Sequence, residues 1–576
     1  MIRKSLLTFA FLLSVVSVFA QLSKSDSARL LLSTRGEVNL KVALSNKQDL
    51  FFLSSMVSIE KTRGLNVWAT ANAVGFAKLE QTQLTYQILQ PEGIRKSLKG
   101  YTDFTSYPSY TQYINMVKAY AANYPDICKL DTIGYSINGR LIPVLKISKN
   151  VKSHEAKPQF FYTSSMHGDE TGGFVLLLRL ADYLLSNYGK DQYISSLVDQ
   201  LEIWINPLSN PDGAYYSNGI IYQPIRYNAK SIDLNRNFPD PQDGLHPDGQ
   251  TYQKENIAMM DFMKKHTFTM SANFHAGEEV LNFPWDTWGL HNSSFKDHDN
   301  HCDSLWFGHV CKQYTDSIFK YYPKNYMRTL TDSGYIYGYN WYRITGGRQD
   351  YTTYFLHGRE VTMEIDQNKT TYEDSLQSLW NKNYRSLLAY MKQATYGFSG
   401  LVTDSITGKP IYAKVFIPNH DVDSSWVYSE GSTGFYQRPI NAGTYNLVFS
   451  APGYQSKQIN GLTIKNDSKY ELSVKLIPID TEVAPDLDVS EMSMVNPVFG
   501  DYLQITSPNA DPQIRYQLVL VNSLGQLIFQ QKDIVLDQAL NKIYIPSIQS
   551  GVYFCMLVNQ NSSKAAKPQR FKIIKL

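Results

Sequence analysis

A histidine and a glutamate three residues apart, in His167-Gly168-Asp169-Glu170, sit between an apolar strand, Phe160-Phe161-Tyr162, and a helix predicted over Phe174 to Leu185. That spacing turns both side chains to one side of a turn, so both can reach one ion. A strand predicted over Met270 to Phe274 ends at His275 and offers a third donor. Two imidazoles and a carboxylate leave a fourth position open to water, as a catalytic zinc requires. A lone HxxE is as readily a surface histidine; the whole set points to metal. In Glu360-Val361-Thr362-Met363-Glu364-Ile365, the residues Val361, Met363 and Ile365 alternate onto one face, and Glu364 turns to the other beside Thr362. A carboxylate at the carboxyl end of a strand in an open α/β sheet, near an activated water, can act as general base. Standing alone it reads as a solvated edge glutamate. Between these segments lies the loop Arg226 to Asp240, in which Arg226, Asn235 and Arg236 can bind a carboxylate and an oxyanion, or merely hold the loop by surface ion pairs.

The elements that must position these groups span about residues 100–396, where strand-like and helix-like segments alternate as in an α/β domain. Before it, residues 21–95 read as a small α+β unit. Val38 to Leu44 and Leu65 to Val74 alternate like strands, and residues 47–62 are expected to be helical. After Gly397 short alternating strands are broken by turns such as Thr407-Gly408-Lys409-Pro410 and Pro452-Gly453-Tyr454, the rhythm of a β-sandwich over 398–478. A polar, proline-containing linker covers 479–490, and a second all-β unit runs over 491–576. A chain of 576 residues is too long for one core and suggests about three to four domains.

The bulk numbers exclude some classes. With 55 basic and 52 acidic residues, a net charge of +3 gives no electrostatic case for nucleic acid. Residues 1–20 read as a signal peptide: Arg3 and Lys4, an apolar run from Leu6 to Val16, then Val18-Phe19-Ala20. No later stretch reaches the length a membrane span needs. Four cysteines are too few for a disulfide framework. Cys302 and Cys311, about 13 Å apart on a predicted helix, are beyond bridging distance. His291, His298, His301, His309 and His357, with the acids from Asp297 to Asp303, suggest a second metal site or, more simply, a solvated polar stretch. No HExxH, Walker loop or GxSxG supports another chemistry.

The ordered motifs HGDE, RYNAKSIDLNRNFPD, ANFHAGEEVLNFPWD, NWYRITGGRQDY and VTMEI resemble the carboxypeptidase A superfamily, nearer its N/E/D branch than its digestive branch. The resemblance implies a mixed-sheet α/β zinc carboxypeptidase core with one zinc per chain, acting on peptide and protein C-termini. It implies His167, Glu170 and His275 as zinc ligands, Arg226 polarising the scissile carbonyl, and Glu364 as general base. Asn235 and Arg236 would grip the terminal carboxylate, and Tyr342 would close over the substrate. Asn210-Pro211-Asp212-Gly213 would be a structural turn. Asp286, in Phe283-Pro284-Trp285-Asp286, matches an acid at the base of the pocket for the departing side chain, and Gln349 matches a glutamine of the same branch. A buried carboxylate there would select Lys or Arg; the alternative is that Asp286 only caps a loop. Glu278 and Glu279 depart from the branch, which has glycine and small or apolar residues at this point, and could alter the pocket rim. Residues 398–478 resemble the transthyretin-like domain that follows the catalytic domain in that branch. Residues 491–576 resemble a type IX secretion C-terminal sorting domain, which implies the outer-membrane export machinery of a Gram-negative bacterium and a surface or secreted product. Two rivals are an amidohydrolase of the aspartoacylase type, opposed by the WYxxxGG and FPWD segments, and a non-enzymatic binding protein, opposed by intact Arg226 and Glu364.

Overall fold

The computed structural model describes residues 24–91, 103–287, 300–322, 325–479 and, with short breaks, 492–575. The expected signal peptide, most of the linker, and His291, Asp297 and His298 lie outside the described residues. The chain divides into two units, Met1–Pro478 and Ile479–Leu576.

The first unit opens with helices α1 (Lys24–Arg35), α2 (Gln48–Ser54) and α3 (Ala73–Glu80) beside strands β1 (Val38–Ala43), β2 (Ser58–Arg63), β3 (Asn66–Ala71) and β4 (Thr85–Leu89). The strands form an antiparallel sheet in the order β2-β3-β1-β4. The helix expected over 47–62 stops at Ser54. Val57 and Ile59 are buried, Thr62 pairs with Val67, and this β-branched stretch is drawn into the sheet against β3. The apolar core of this layer is completed by Val280, Trp341, Tyr342 and Ile344 from the domain that follows.

That domain is built on eight strands: β5 (Cys128–Tyr135), β6 (Leu141–Ile147), β7 (Gln159–Ser164), β8 (Glu202–Asn206), β9 (Phe268–His275), β10 (Glu279–Phe283), β11 (Tyr335–Tyr337) and β12 (Arg359–Ile365). Their order is β11-β10-β12-β9-β7-β8-β6-β5, parallel across β12, β9, β7 and β8 and antiparallel at β10–β12, β6–β8 and β5–β6. Every residue of β7, β8, β9 and β12 is buried, as a sheet covered on both faces demands. On one face Phe160, Tyr162, Ile203 and Ile205 pack with the apolar helices α5 (Gly172–Asn187) and α9 (Leu376–Gln393). On the other, Phe161 and Trp204 pack with Met259, Phe262 and Phe268. Helices α4 (Tyr110–Asn123), α6 (Gln192–Gln200), α7 (Lys254–Lys264) and α8 (Ser304–Tyr321) complete the cover; α4 starts at a capping box of Ser109 and Gln112.

From β13 (Gly397–Asp404) onward the unit is a sandwich of two four-stranded sheets around Phe398, Val402, Val415, Leu447 and Phe449. It is tied to the preceding domain by buried ions, which corrects the expectation of a solvated stretch at 301–303. The Asp303 carboxylate accepts from Arg359 (2.7 and 3.0 Å) and from Arg438 (2.8 and 3.1 Å), and faces His420 Nε2 at 2.8 Å. His301, Asp303, Arg359 and Arg438 are all buried. Two guanidiniums already neutralise this site, so a second metal is disfavoured there. Cys128, Cys302, Cys311 and Cys555 are all free thiols.

The second unit carries two antiparallel sheets, of three and four strands, around Leu503, Ile505, Leu518, Leu520, Cys555 and Leu557. Among the described residues no helix is long and apolar enough to cross a membrane.

Candidate active site

The carboxyl ends of β7, β9 and β12 deliver the sequence-predicted residues to one place. Beyond β7 the chain turns sharply through Ser165 (φ +54°), whose hydroxyl donates to the Glu170 carbonyl at 2.8 Å. Gly168 sits so tightly against the helical turn Pro211–Ala214 that a Cβ would lie 2.3 Å from the Gly213 carbonyl carbon. Asn210 caps that turn and donates to the carbonyls of Arg226 (3.3 Å) and Tyr227 (3.1 Å). The Asn-Pro-Asp-Gly motif therefore fixes both the His167 turn and the Arg226 loop.

His167 Nδ1 lies 2.8 Å from Glu170 Oε1, His275 Nδ1 lies 2.7 Å from Glu170 Oε2, and the two Nδ1 atoms are 3.0 Å apart. All three side chains are buried. Two imidazole nitrogens aimed at each other this closely need a proton or a cation between them, and two imidazoles with one carboxylate are a zinc donor set. The residues fit the metal. Burial works against the charge on Glu170, but the two histidines hold its carboxyl below the usual range.

Behind this set stands Asp233, which sequence reasoning passed over. Its Oδ1 faces His167 Nε2 at 3.1 Å, and its Oδ2 accepts from Arg226 Nε at 3.0 Å. A carboxylate on the far nitrogen of a metal-binding histidine fixes the ring and raises its basicity. The available signal was position: Asp233 lies in the loop that also carries Arg226, Asn235 and Arg236. Arg226 is buried and also reaches Glu170 Oε1 at 3.2 Å.

Glu364 stands beside His275 across the β9–β12 register, and its Oε2 is buried without a partner. Burial pushes its carboxyl well up, the carboxylates of Glu170 and Glu278 add to this, and Arg226 opposes it. Asn235 Oδ1 accepts from the Arg348 amide at 2.9 Å, and Arg236 Nη1 donates to the Asn235 carbonyl at 2.9 Å, leaving Arg236 Nη2 buried and unpartnered.

Asp286 is buried beyond β10. Its Oδ1 accepts from Gln349 Nε2 at 2.8 Å, while Gln349 Oε1 accepts from the Thr362 amide at 2.8 Å. Gly338 closes on the same oxygen so nearly that a Cβ would stand 1.8 Å from it. The loop is capped instead by Asp350, which accepts the amides of Asp286 and Thr287 at 3.0 and 2.8 Å. Burial lifts the Asp286 carboxyl to about 7, Arg236 pulls it down, and Glu360 and Asp240 push it up.

The N-terminal layer covers the cleft. The Tyr342 hydroxyl donates to the Ile59 carbonyl at 2.9 Å, Trp341 Nε1 to Thr62 Oγ1 at 3.3 Å, and Ser58 Oγ to Asp233 Oδ2 at 2.5 Å. Glu60 meets Lys369 Nζ at 2.6 Å and lines the cleft with His167, Glu170, Arg226, Arg236, His275 and Glu364. About 10 Å³ remains, room for about one water. Glu278 pairs with Arg63, and Glu279 Oε2 accepts from Gln367 at 3.3 Å.

A buried two-histidine, one-carboxylate set with a carboxylate beside it, at the carboxyl end of a parallel sheet, defines a metallohydrolase site. Residues 113–386 match the family described as zinc carboxypeptidase, and residues 397–477 match the carboxypeptidase regulatory-like domain. Mouse (Mus musculus) carboxypeptidase M is 34% identical over 61% of this chain and 80% of its own length. The carboxypeptidase N catalytic chain of Rattus norvegicus is 31% identical over 58% of this chain and 78% of its own length. Human (Homo sapiens) carboxypeptidase D is 32% identical over 72% of this chain, which spans only 29% of that longer protein. The chain belongs to the zinc carboxypeptidase family.

Proposed function

We propose that this chain removes single residues, preferentially Lys or Arg, from peptide and protein C-termini. The observation that carries the reading is the buried convergence of His167, Glu170 and His275 beside the unpartnered Oε2 of Glu364. A zinc held by those three side chains supplies Lewis-acid activation of water and carbonyl. Glu364 takes the proton of the attacking water and hands it to the departing amine. Arg226 donates to the carbonyl oxygen as it gains charge. Arg236, with its free Nη2, and Asn235 hold the terminal carboxylate, which makes cleavage exo-acting because an internal peptide offers no such charge. Tyr342, released from Ile59, closes over the bound residue, and Asp286 meets its basic side chain.

The covering layer supports a second part of the reading: residues 21–95 act as an inhibitory prosegment, since almost no space is left over the proposed metal set. Residues 1–20 direct export and residues 491–576 act as a type IX sorting domain, giving a surface or secreted enzyme of a Gram-negative bacterium. That part rests on the sequence resemblance.

The test pairs one peptide ending in Lys as free acid and as amide, with and without a chelator. Loss of cleavage on amidation by about 10² or more, and abolition by chelation, are expected. Equal cleavage of acid and amide would defeat the exopeptidase reading.

A further inference from the structure

Glu278 has no exposure, yet among the described residues the only cation paired with it comes from the N-terminal layer. Arg63 closes a two-pronged ion pair on it, Nη2 donating to Oε1 at 3.0 Å and Nη1 to Oε2. The remaining partners belong to the catalytic domain: the Thr329 hydroxyl and the Glu279 amide (3.1 Å), both on Oε1. When the layer leaves, a carboxylate oriented by those two donors is left without its cation at the place β2 had covered.

Its place along the substrate follows from β10. Val280 pairs with Glu364, so Glu278 lies at the start of that strand, whereas Asp286 lies past its end at Phe283. A peptide with its last side chain at Asp286 and its scissile bond by Glu364 runs on toward Glu278. The chain's own β2 makes a comparable crossing: Glu60 lines the cleft at the metal set and Arg63, about 10 Å further along an extended strand, reaches Glu278.

We propose that Glu278, with Thr329, forms an acidic subsite for an Arg or Lys side chain within the first three residues upstream of the scissile bond, and that Arg63 holds that place in the intact chain. The proposal rests on the carboxypeptidase reading and extends it to substrates carrying a second basic residue near the C-terminus. A guanidinium–carboxylate pair in this planar fork favours Arg over Lys.

The zinc-loaded full-length chain, before and after limited proteolysis between residues 92 and 102, is assayed on peptides ending in Lys with Arg, Gln or Glu at each of the three upstream positions. A preference for Arg over Gln of about 10- to 100-fold in kcat/KM at one position is expected, with Glu worst. In Glu278→Gln that ratio should fall to about one, and Glu278→Lys should favour Glu over Arg. The ratios are internal to each preparation, and thermal melting reports whether each variant is folded. A wild type without upstream preference overturns the subsite whatever the variants do, as does a preference that survives Glu278→Gln. Cleavage of none of the peptides defeats the carboxypeptidase reading and the subsite with it; cleavage without upstream preference defeats the subsite alone.

Discussion

Glu364 and Asp286 are both buried carboxyls pushed up by their surroundings, and the two can be separated by experiment. Glu364→Gln removes only the proton transfer, so zinc content should stay full while kcat falls by about 10²–10⁴-fold; near-native turnover at full zinc would remove Glu364 from the base role. Burial pushes the Asp286 carboxyl up to about 7, and on the acid side of that value the protonated, neutral carboxyl cannot pair with a cationic side chain. The kcat/KM ratio of C-terminal Lys to C-terminal Leu should therefore fall by up to about tenfold per pH unit below 7 and level off above it. Taking the ratio cancels the titration of Glu364, which acts on both substrates. A ratio flat from pH 5 to 8, or one favouring Leu throughout, would exclude Asp286 from side-chain selection. The place of Glu364 was legible in the sequence because it lies near the end of an alternating strand, whereas Asp286 was singled out only through the resemblance carried by Phe283-Pro284-Trp285-Asp286. Asp233 was not legible, because its role depends on its distance from His167 Nε2, and no spacing in the sequence encodes that contact.

Among the elements, periodicity was sufficient where the sheet is buried on both faces: the apolar run at Phe160 and the alternation at Val361 became β7 and β12. It was misleading at 47–62, where a helix and a strand follow one another and the strand forms by pairing with β3. Local pattern could not show that this strand lies across the cleft. The ties are many but individually modest: Tyr342 to Ile59, Trp341 to Thr62, Lys369 to Glu60, and an apolar core shared with Val280 and Ile344. If the layer is inhibitory, cutting the full-length chain between residues 92 and 102 should raise kcat/KM by about tenfold or more, since only the open fraction of uncut molecules can admit substrate. Size-exclusion chromatography after cutting reports whether the layer has left. Equal activity before and after its departure would mean that the cleft opens readily without cleavage.

At the scale of the molecule, every proposed site residue lies in the unit Met1–Pro478, and the unit Ile479–Leu576 closes its own core around Leu503, Leu518 and Leu557. Each unit has its own buried apolar interior, which is the condition for folding as a separate body. The buried ions joining Asp303 to Arg359 and Arg438 bind the regulatory-like sandwich to the catalytic domain, so a truncation that respects the architecture must fall after residue 478. Breaking such a pair costs about 3–5 kcal/mol, a large part of a domain's stability. Deleting residues 491–576 should accordingly leave Tm of the remaining unit and zinc-dependent cleavage of a Lys-terminated peptide unchanged. If the deleted segment is the export signal, the truncated enzyme should accumulate in the periplasm, while the full chain reaches the surface or the medium. Cell fractionation with the activity assay on each fraction separates the outcomes. Activity in the medium at the full-length level would show that export does not depend on the last unit, and loss of activity in every fraction would show that the first unit does not stand alone.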